Sequence, residues 1–332
     1  SGVYEEFYDY FVGLANKYPN YHIVSFNFRN VNASTGVAFG AQDWFNDAKS
    51  ILKHFLHLGC QHEDIVMSGH SLGASITTCS VGQMYHEDQA KAFKKKDNLE
   101  VPCIGHINNR SFSNMAEEIM ASFLTKRQRA AINGAVYGVL GSLLMMSLAP
   151  LFAVSLSMSL ILGAAAGLSA SMMSILHKPI GFDLLRPWMK TLLYVTFGST
   201  MDSEHYYLSM PESRRDYLYA KNDKVIRKQA GLHTAFAPQR KLKRREFTKA
   251  LKAFGNDRES EAYQEFKQEV LLFRDRKLRH RFDPNEGYAA HNDLVESLTT
   301  YHKAREFFGE KELNGQEVLE NKIKRLLNVE TL

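Results

Sequence analysis

Gly69-His70-Ser71-Leu72-Gly73 is the segment that most constrains this chain, because of what stands on either side of it. Before it, Asp64–Ser68 reads as a short strand; after it, ASITTCSV opens a run with helical character that reaches about Tyr85. A serine set between glycines at a strand-to-helix junction occupies a sharp, strained turn. The glycines leave the backbone room to fold back, and the turn lifts the hydroxyl above the end of the sheet. The same five residues in an open loop would carry no such meaning. The flanking runs IVMS and ASITTCSV supply it.

The remaining elements fall around this junction in alternation. Val3–Lys17 predicts a helix with Phe7, Tyr10, Phe11 and Leu14 on one stripe, and Tyr21–Phe28 predicts a short strand running into the polar turn RNVNASTG. Asp43–Leu58 is a second amphipathic helix, closed by Gly59. Val101–Ile107 is another strand, a helix follows near Ser113–Thr125, and Asp216–Ala220 is a further strand. Residues 227–281 are charged and helical in character, and a last helix is expected from about Leu294 to Phe308. Alternating helices and strands predict an α/β fold, a mostly parallel sheet with helices on both faces.

Bulk composition sets limits. The chain has 332 residues, 45% hydrophobic and 23% charged, which is ordinary for a globular protein, and a mild net charge of +5. Its three cysteines, Cys60, Cys79 and Cys103, lack any C-x-x-C spacing, so neither a disulfide framework nor a zinc site is expected. A reducing, cytosol-facing compartment follows. Glu5, Glu6 and Asp9 stand where a cleavable signal would need basic and apolar residues.

A serine nucleophile needs a base, and the base needs a carboxylate to orient it. Asp223 follows the strand DYLYA in a turn, where an orienting acid would stand; the plainer role for it is a helix cap. Asp202 and Asp216 are the other acids considered. His291, in GYAAHNDL, follows a glycine-containing loop, which suits the base better than His280 or His302 within charged helical stretches. His70 is the variable residue of the serine motif and reads as a packing neighbour. The backbone N–H of Leu72, at the helix start, would receive a developing oxyanion. No metal or organic cofactor is implied.

GHSLGAS, FNFRNVNASTG, KNDKVI and AAHND fall in the order of the nucleophile turn, a strand-four turn, the acid turn and the histidine loop of α/β-hydrolases, and the chain resembles that superfamily over residues 1–125 and 206–310. The resemblance implies a lipase- or esterase-like carboxylic-ester hydrolase with Ser71, Asp223 and His291 as its triad. It also implies earlier strands and a loop donating a second oxyanion hydrogen bond. The chain therefore reads as lacking its N-terminal strands, with that donor near Ser1-Gly2 or missing. The uncharged stretch and the Glu/Lys-rich C-terminus faintly resemble lipase-like secreted effectors of intracellular bacteria, the SidB group.

From Ala130 to Leu176 run 47 consecutive residues without a charged side chain. On either side of Pro150 lie an 18-residue arm (Ala131–Leu148) and a 26-residue arm (Leu151–Leu176), against ~20 for a bilayer span. Lys126, Arg127 and Arg129 precede the segment and Lys178 follows it, as a hairpin with both ends on one side requires. Gly134-x-x-x-Gly138 and Gly163-x-x-x-Gly167 offer close-packing faces. The alternative is an apolar lid over the active site. Two basic runs, Arg240–Arg245 and Arg274–Arg281, read as a solvated helical face or as an anionic-lipid surface. Nucleic acid is not expected, since no binding module accompanies the charge.

The expected organisation is thus a core of 1–125 and 206–310, an apolar helical insertion at 126–205, a charged helical insertion at 227–281 and a helical tail at 311–332. The expected function is a membrane-associated serine hydrolase acting on a lipid or acyl ester. Its alternative is a hydrolase-derived scaffold that anchors to membranes or binds a partner.

Overall fold

The computed structural model describes residues 8–95, 101–124, 126–152, 160–169, 185–226, 228, 230–255, 257–281, 287–300 and 303–328. In chain order the helices are α1 (Tyr8–Lys17), α2 (Ala41–His57), α3 (Leu72–Lys95), α4 (Met115–Phe123), α5 (Lys126–Phe152), α6 (160–169) and α7 (Leu185–Phe197). They continue as α8 (Ser203–Ser209), α9 (Leu232–Ala235), α10 (Ala237–Phe254), α11 (Glu261–Arg274), α12 (Gly287–Asn292), α13 (Lys303–Phe307) and α14 (Gly315–Leu326). The strands are β1 (Val66–His70), β2 (Gly105–Asn109), β3 (Arg215–Ala220), β4 (Lys277–His280) and β5 (Leu298–Thr300). They form one sheet in the order β1-β2-β3-β4-β5, with the first four parallel and β5 antiparallel to β4. The chain is therefore α/β with a mostly parallel sheet.

Contacts divide the chain into two units, Ser1–Met115 with Met201–Leu332, and Ala116–Thr200. The first holds the sheet. Side chains alternate across each strand, so β3 sends Tyr217 and Tyr219 into one core cluster and Leu218 and Ala220 into another. The first cluster includes Ala48 and Leu52 from α2 and Val81 and Met84 from α3; the second includes Val318, Leu319 and Leu326 from α14. Helices thus cover both faces. On the α3 face, His106 meets Thr78 Oγ1 at 2.7 Å, and Asn108 Nδ2 donates to the same oxygen at 2.8 Å.

The segment 311–332, expected as a helical tail, contributes α14 to the core. Asn314 caps it, accepting from Glu317 N at 2.8 Å while Glu317 accepts from Asn314 N at 2.8 Å. This reciprocal box contributes about 1 kcal/mol. Inside the protein, Lys322 and Asp216 form an ion pair at 2.8 Å, and Arg276 reaches the other Asp216 oxygen at 2.7 Å. Asp216 is held well below the usual carboxylate range by Arg276, Lys322 and Arg325 acting against its burial.

Three sequence expectations differ from the structure. Tyr21–Phe28 forms no strand; Phe26 and Phe28 instead pack onto the first core cluster, so their alternation records packing without a ladder. The stretch from Leu294 to Phe308 is not one helix: it holds β5 and then α13, and the β-branched pair Thr299-Thr300 takes the strand. The charged stretch 227–281 ends in a strand, β4.

In the second unit, α5 runs through Pro150 to Phe152. A Cβ on Gly167 would lie 2.5 Å from the carbonyl oxygen of Gly134, and one on Gly163 would lie 2.8 Å from that of Gly138. The glycine pairs therefore let α5 and α6 touch backbone to backbone, and their reversed order along the two helices makes the contact antiparallel. Among the described residues no helix is long and apolar enough to cross a membrane. The second expected arm is described only over 151–152 and 160–169, and Lys178 lies outside the described residues.

Candidate active site

Ser71 stands between β1 and α3 with φ of 53°, in the left-handed region that a residue with a side chain rarely enters. Its backbone N–H donates to Asn109 O at 3.0 Å, tying the turn to the end of β2. Gly69 is sterically required: a Cβ there would lie 2.6 Å from both Ala74 Cα and Gly73 O, in the first turn of α3. Gly73 meets no such limit, as a Cβ there would enter open space. The room for the fold-back thus comes from the first glycine of the motif.

His291, on α12, is buried and spans the gap between Ser71 and Asp223. Its Nε2 lies 2.9 Å from Ser71 Oγ, and its Nδ1 lies 2.9 Å from Asp223 Oδ2. With Nδ1 protonated and donating to the carboxylate, Nε2 is free to accept the serine proton.

Asp223 divides its two oxygens. Oδ1 accepts from Val225 N at 2.9 Å and Ile226 N at 2.8 Å, closing a turn; residues 224–226 form a bend and not a helix, so the helix-cap role weighed from the sequence is not the one it fills. Oδ2 is left for the imidazole. The turn fixes the carboxylate so that the second oxygen faces His291.

Neither alternative acid takes this place. Asp216 is committed to Lys322, Arg276 and Arg325, and Asp202 stands at the start of α8. His280 belongs to β4, and His302 lies outside the described residues, as do Ser1 and Gly2. Leu72 is the first residue of α3, where backbone N–H groups have no intrahelical acceptor, so its N–H stands beside Ser71 uncommitted by the helix.

His70 packs its ring 5.1 Å from that of His291. Burial, with Arg110 and His291 nearby, pushes it down to about 2, so a neutral ring lies against the imidazole.

Arg110 is the residue that the sequence analysis missed. It follows β2 with φ of 55° and is buried beneath α12. Nη1 donates to the carbonyls of Ala290 and Asp293, each at 2.9 Å, and Nε to Asn109 Oδ1 at 3.0 Å. Burial lowers it to about 10, with Asp223 and Asp293 acting in the opposite direction. These carbonyls flank His291 in sequence, so the guanidinium clamps the short helix that carries it. The run INNRSFS reads as a polar turn and holds no signal for this.

Among the described residues no cluster of three or more His, Cys, Asp or Glu could hold a metal ion. Comparison of the chain with protein-family models, with curated proteins and with solved structures finds no match.

Proposed function

We propose that the chain is a serine hydrolase of the α/β-hydrolase kind that cleaves a lipid or acyl ester at a membrane surface. The observation that carries this reading is the unbroken line from Ser71 Oγ through His291 to Asp223, two contacts of 2.9 Å each, with Ser71 in a strained turn. Structural histidines need neither a serine nor a carboxylate on opposite ring nitrogens. A nucleophile with its base and orienting acid needs both.

In the proposed reaction His291 Nε2 takes the Ser71 proton as Oγ attacks the ester carbonyl. The resulting oxyanion faces the Leu72 N–H at the start of α3. His291 then returns the proton to the leaving alkoxide, giving an acyl-serine and the free alcohol. Water, deprotonated by the same nitrogen, releases the acid. Asp223 stays ionised throughout and stabilises the imidazolium. No cofactor enters.

The membrane part of the reading rests on the 47 uncharged residues, Ala130–Leu176. Val139, Leu140, Leu143 and Leu144 of α5 are each more than half exposed, as are Ile161 and Leu168 of α6. An apolar surface of this kind is unusual on a soluble monomer and suits contact with lipid.

A fluorophosphonate probe tests the chemistry directly, because only an activated serine labels. The expected outcome is stoichiometric labelling at Ser71, lost in Ser71→Ala, with turnover of short acyl esters falling ~10^3-fold or more. An unlabelled, folded protein would leave the scaffold reading in its place.

A further inference from the structure

The two basic runs, 34 positions apart by their first residues Arg240 and Arg274, meet in the fold. Arg240 and Arg244 on α10 come together with Arg274, at the end of α11, and Lys277, which opens β4, around a cavity of about 490 Å3. That volume lies within the ~300–1,000 Å3 of small-molecule sites. Phe247, Phe266 and Phe273 supply an apolar wall. None of Ser71, Asp223 and His291 lines the cavity, and no carboxylate among the described residues does.

Some of these cations are already engaged. Arg276, which also lines the cavity, donates to Asp216 at 2.7 Å. Arg240 donates to Tyr219 Oη and to His233 O, each at 2.8 Å. Arg274 differs: its Nε is buried and has no hydrogen-bond partner among the described residues. Arg274 is pushed below its ordinary value by burial together with Arg244 and Arg240. Lys277 is likewise pushed down by burial and by Lys221, Arg244, Arg240 and Lys228. The cavity therefore gathers like charges, whose mutual repulsion costs free energy that an entering anion would relieve.

We propose that this cavity binds an amphiphilic phosphate monoester, with its phosphate on Arg244 and Arg274 and its apolar part against Phe247, Phe266 and Phe273. Two guanidinium groups match a dianionic head better than a carboxylate, and planar forks suit phosphate oxygens. The phenyl wall gives the apolar part its own reason to bind, which inorganic phosphate lacks. The site is separate from the triad, and the proposal rests on no step at Ser71.

Isothermal titration with dodecyl phosphate, below its micelle concentration and at low ionic strength, tests the assignment against inorganic phosphate and laurate. Dodecyl phosphate is expected to bind at least about tenfold tighter than either. Arg244→Gln, at an exposed position that folding tolerates, should weaken it by about tenfold, and the Arg244→Gln/Arg274→Gln pair by more. Ser71→Ala and Lys241→Gln, the latter in the same basic run but outside the cavity, should bind as the parent does. Retained affinity in folded Arg244→Gln and in the double variant would overturn the site. Equal binding of inorganic phosphate or laurate would overturn the ligand class.

Discussion

Replacing Arg110 asks whether the position of His291 is set by the triad alone. The guanidinium makes two charge-assisted hydrogen bonds to the carbonyls of Ala290 and Asp293, both at 2.9 Å. Each such bond contributes ~1.5–3 kcal/mol, so α12 is held by about 3–6 kcal/mol of local restraint. Methionine in place of arginine keeps most of the volume and none of the donors, and strands both carbonyls in a buried site. Misplacing a reacting group by about 1 Å costs ~10^2 in rate. Arg110→Met should therefore lower kcat by ~10^2–10^3 with KM changed less than about threefold, since the clamp touches no substrate. Arg110→Lys keeps a charge and one donor within reach, and should recover about tenfold of that loss. Stopped-time hydrolysis of a p-nitrophenyl ester, read beside the rate of fluorophosphonate labelling and the far-ultraviolet spectrum, separates positioning from unfolding. A folded Arg110→Met protein that labels and turns over as the parent does would refute the clamp.

Asp223→Asn should leave the Oδ1 contacts to Val225 and Ile226 in place but turn an amide nitrogen toward His291, favouring the wrong tautomer; kcat is expected to fall ~10^3–10^4-fold with little change in urea midpoint. An unchanged kcat would remove Asp223 from the triad. Burial holds His106 at about 4, below the ~6.5 of an unfolded chain, so the unfolded state alone binds its proton between these values. Stability is therefore intact above pH 6.5 and lost as pH falls toward 4, by about 2 kcal/mol from pH 7 to pH 5 for this residue alone. His233 and His70, both also lowered, add in the same sense, and a flat urea-midpoint profile over that range would contradict the assignment. Replacing the exposed Leu143 and Leu144 together by Glu should release the full-length protein from liposomes in a flotation assay without changing ester turnover in solution; co-flotation of the variant would place the lipid contact elsewhere.

The hydrogen-bonded line of Ser71, His291 and Asp223 was legible because each residue sits at a punctuation mark of the chain: Ser71 in a glycine-flanked junction, Asp223 in the turn after DYLYA, His291 after a glycine loop. Chain order selected among thirteen histidines and left the geometry to be found. Local pattern failed where tertiary partners decide. Tyr21–Phe28 has the β-branched and aromatic residues of a strand, but no ladder forms there, and its phenyl rings are used for packing. Leu298–Thr300 was hidden inside a longer apolar spacing of helical type, although its threonine pair favours a strand that β4 completes. Arg110 and the meeting of the two basic runs were out of reach for another reason. Burial of a guanidinium, and convergence of charges far apart in sequence, are properties of the packed sheet.

That sheet supplies a common device at the site. β1, β2 and β3 are adjacent and parallel, and the chain leaves each of them through a left-handed residue: Ser71 at 53°, Arg110 at 55° and Asn222 at 59°. Such a conformation costs ~1–2 kcal/mol at a residue that is not glycine, and it persists only where surrounding contacts over-determine it. Here they do: Ser71 N is held by Asn109 O, Arg110 N by Leu218 O, and Asp223, next to Asn222, by two backbone donors. Each turn reverses the chain at the same end of the sheet and delivers one side chain, the hydroxyl, the guanidinium or the neighbouring carboxylate, to α12. His291 is thus addressed from three consecutive strand ends, by a hydroxyl, by a backbone clamp and by a carboxylate. Relaxing any one turn to an extended conformation would swing its side chain away from α12, so the strain and the chemistry are two aspects of one geometry. It follows that glycine at position 222, which lowers the cost of the turn while keeping Asp223 in place, should stabilise the protein by a few tenths to about 1 kcal/mol and leave turnover unchanged. A loss of turnover in Asn222→Gly with the urea midpoint raised would show that the asparagine side chain, and not the turn, is what the site needs.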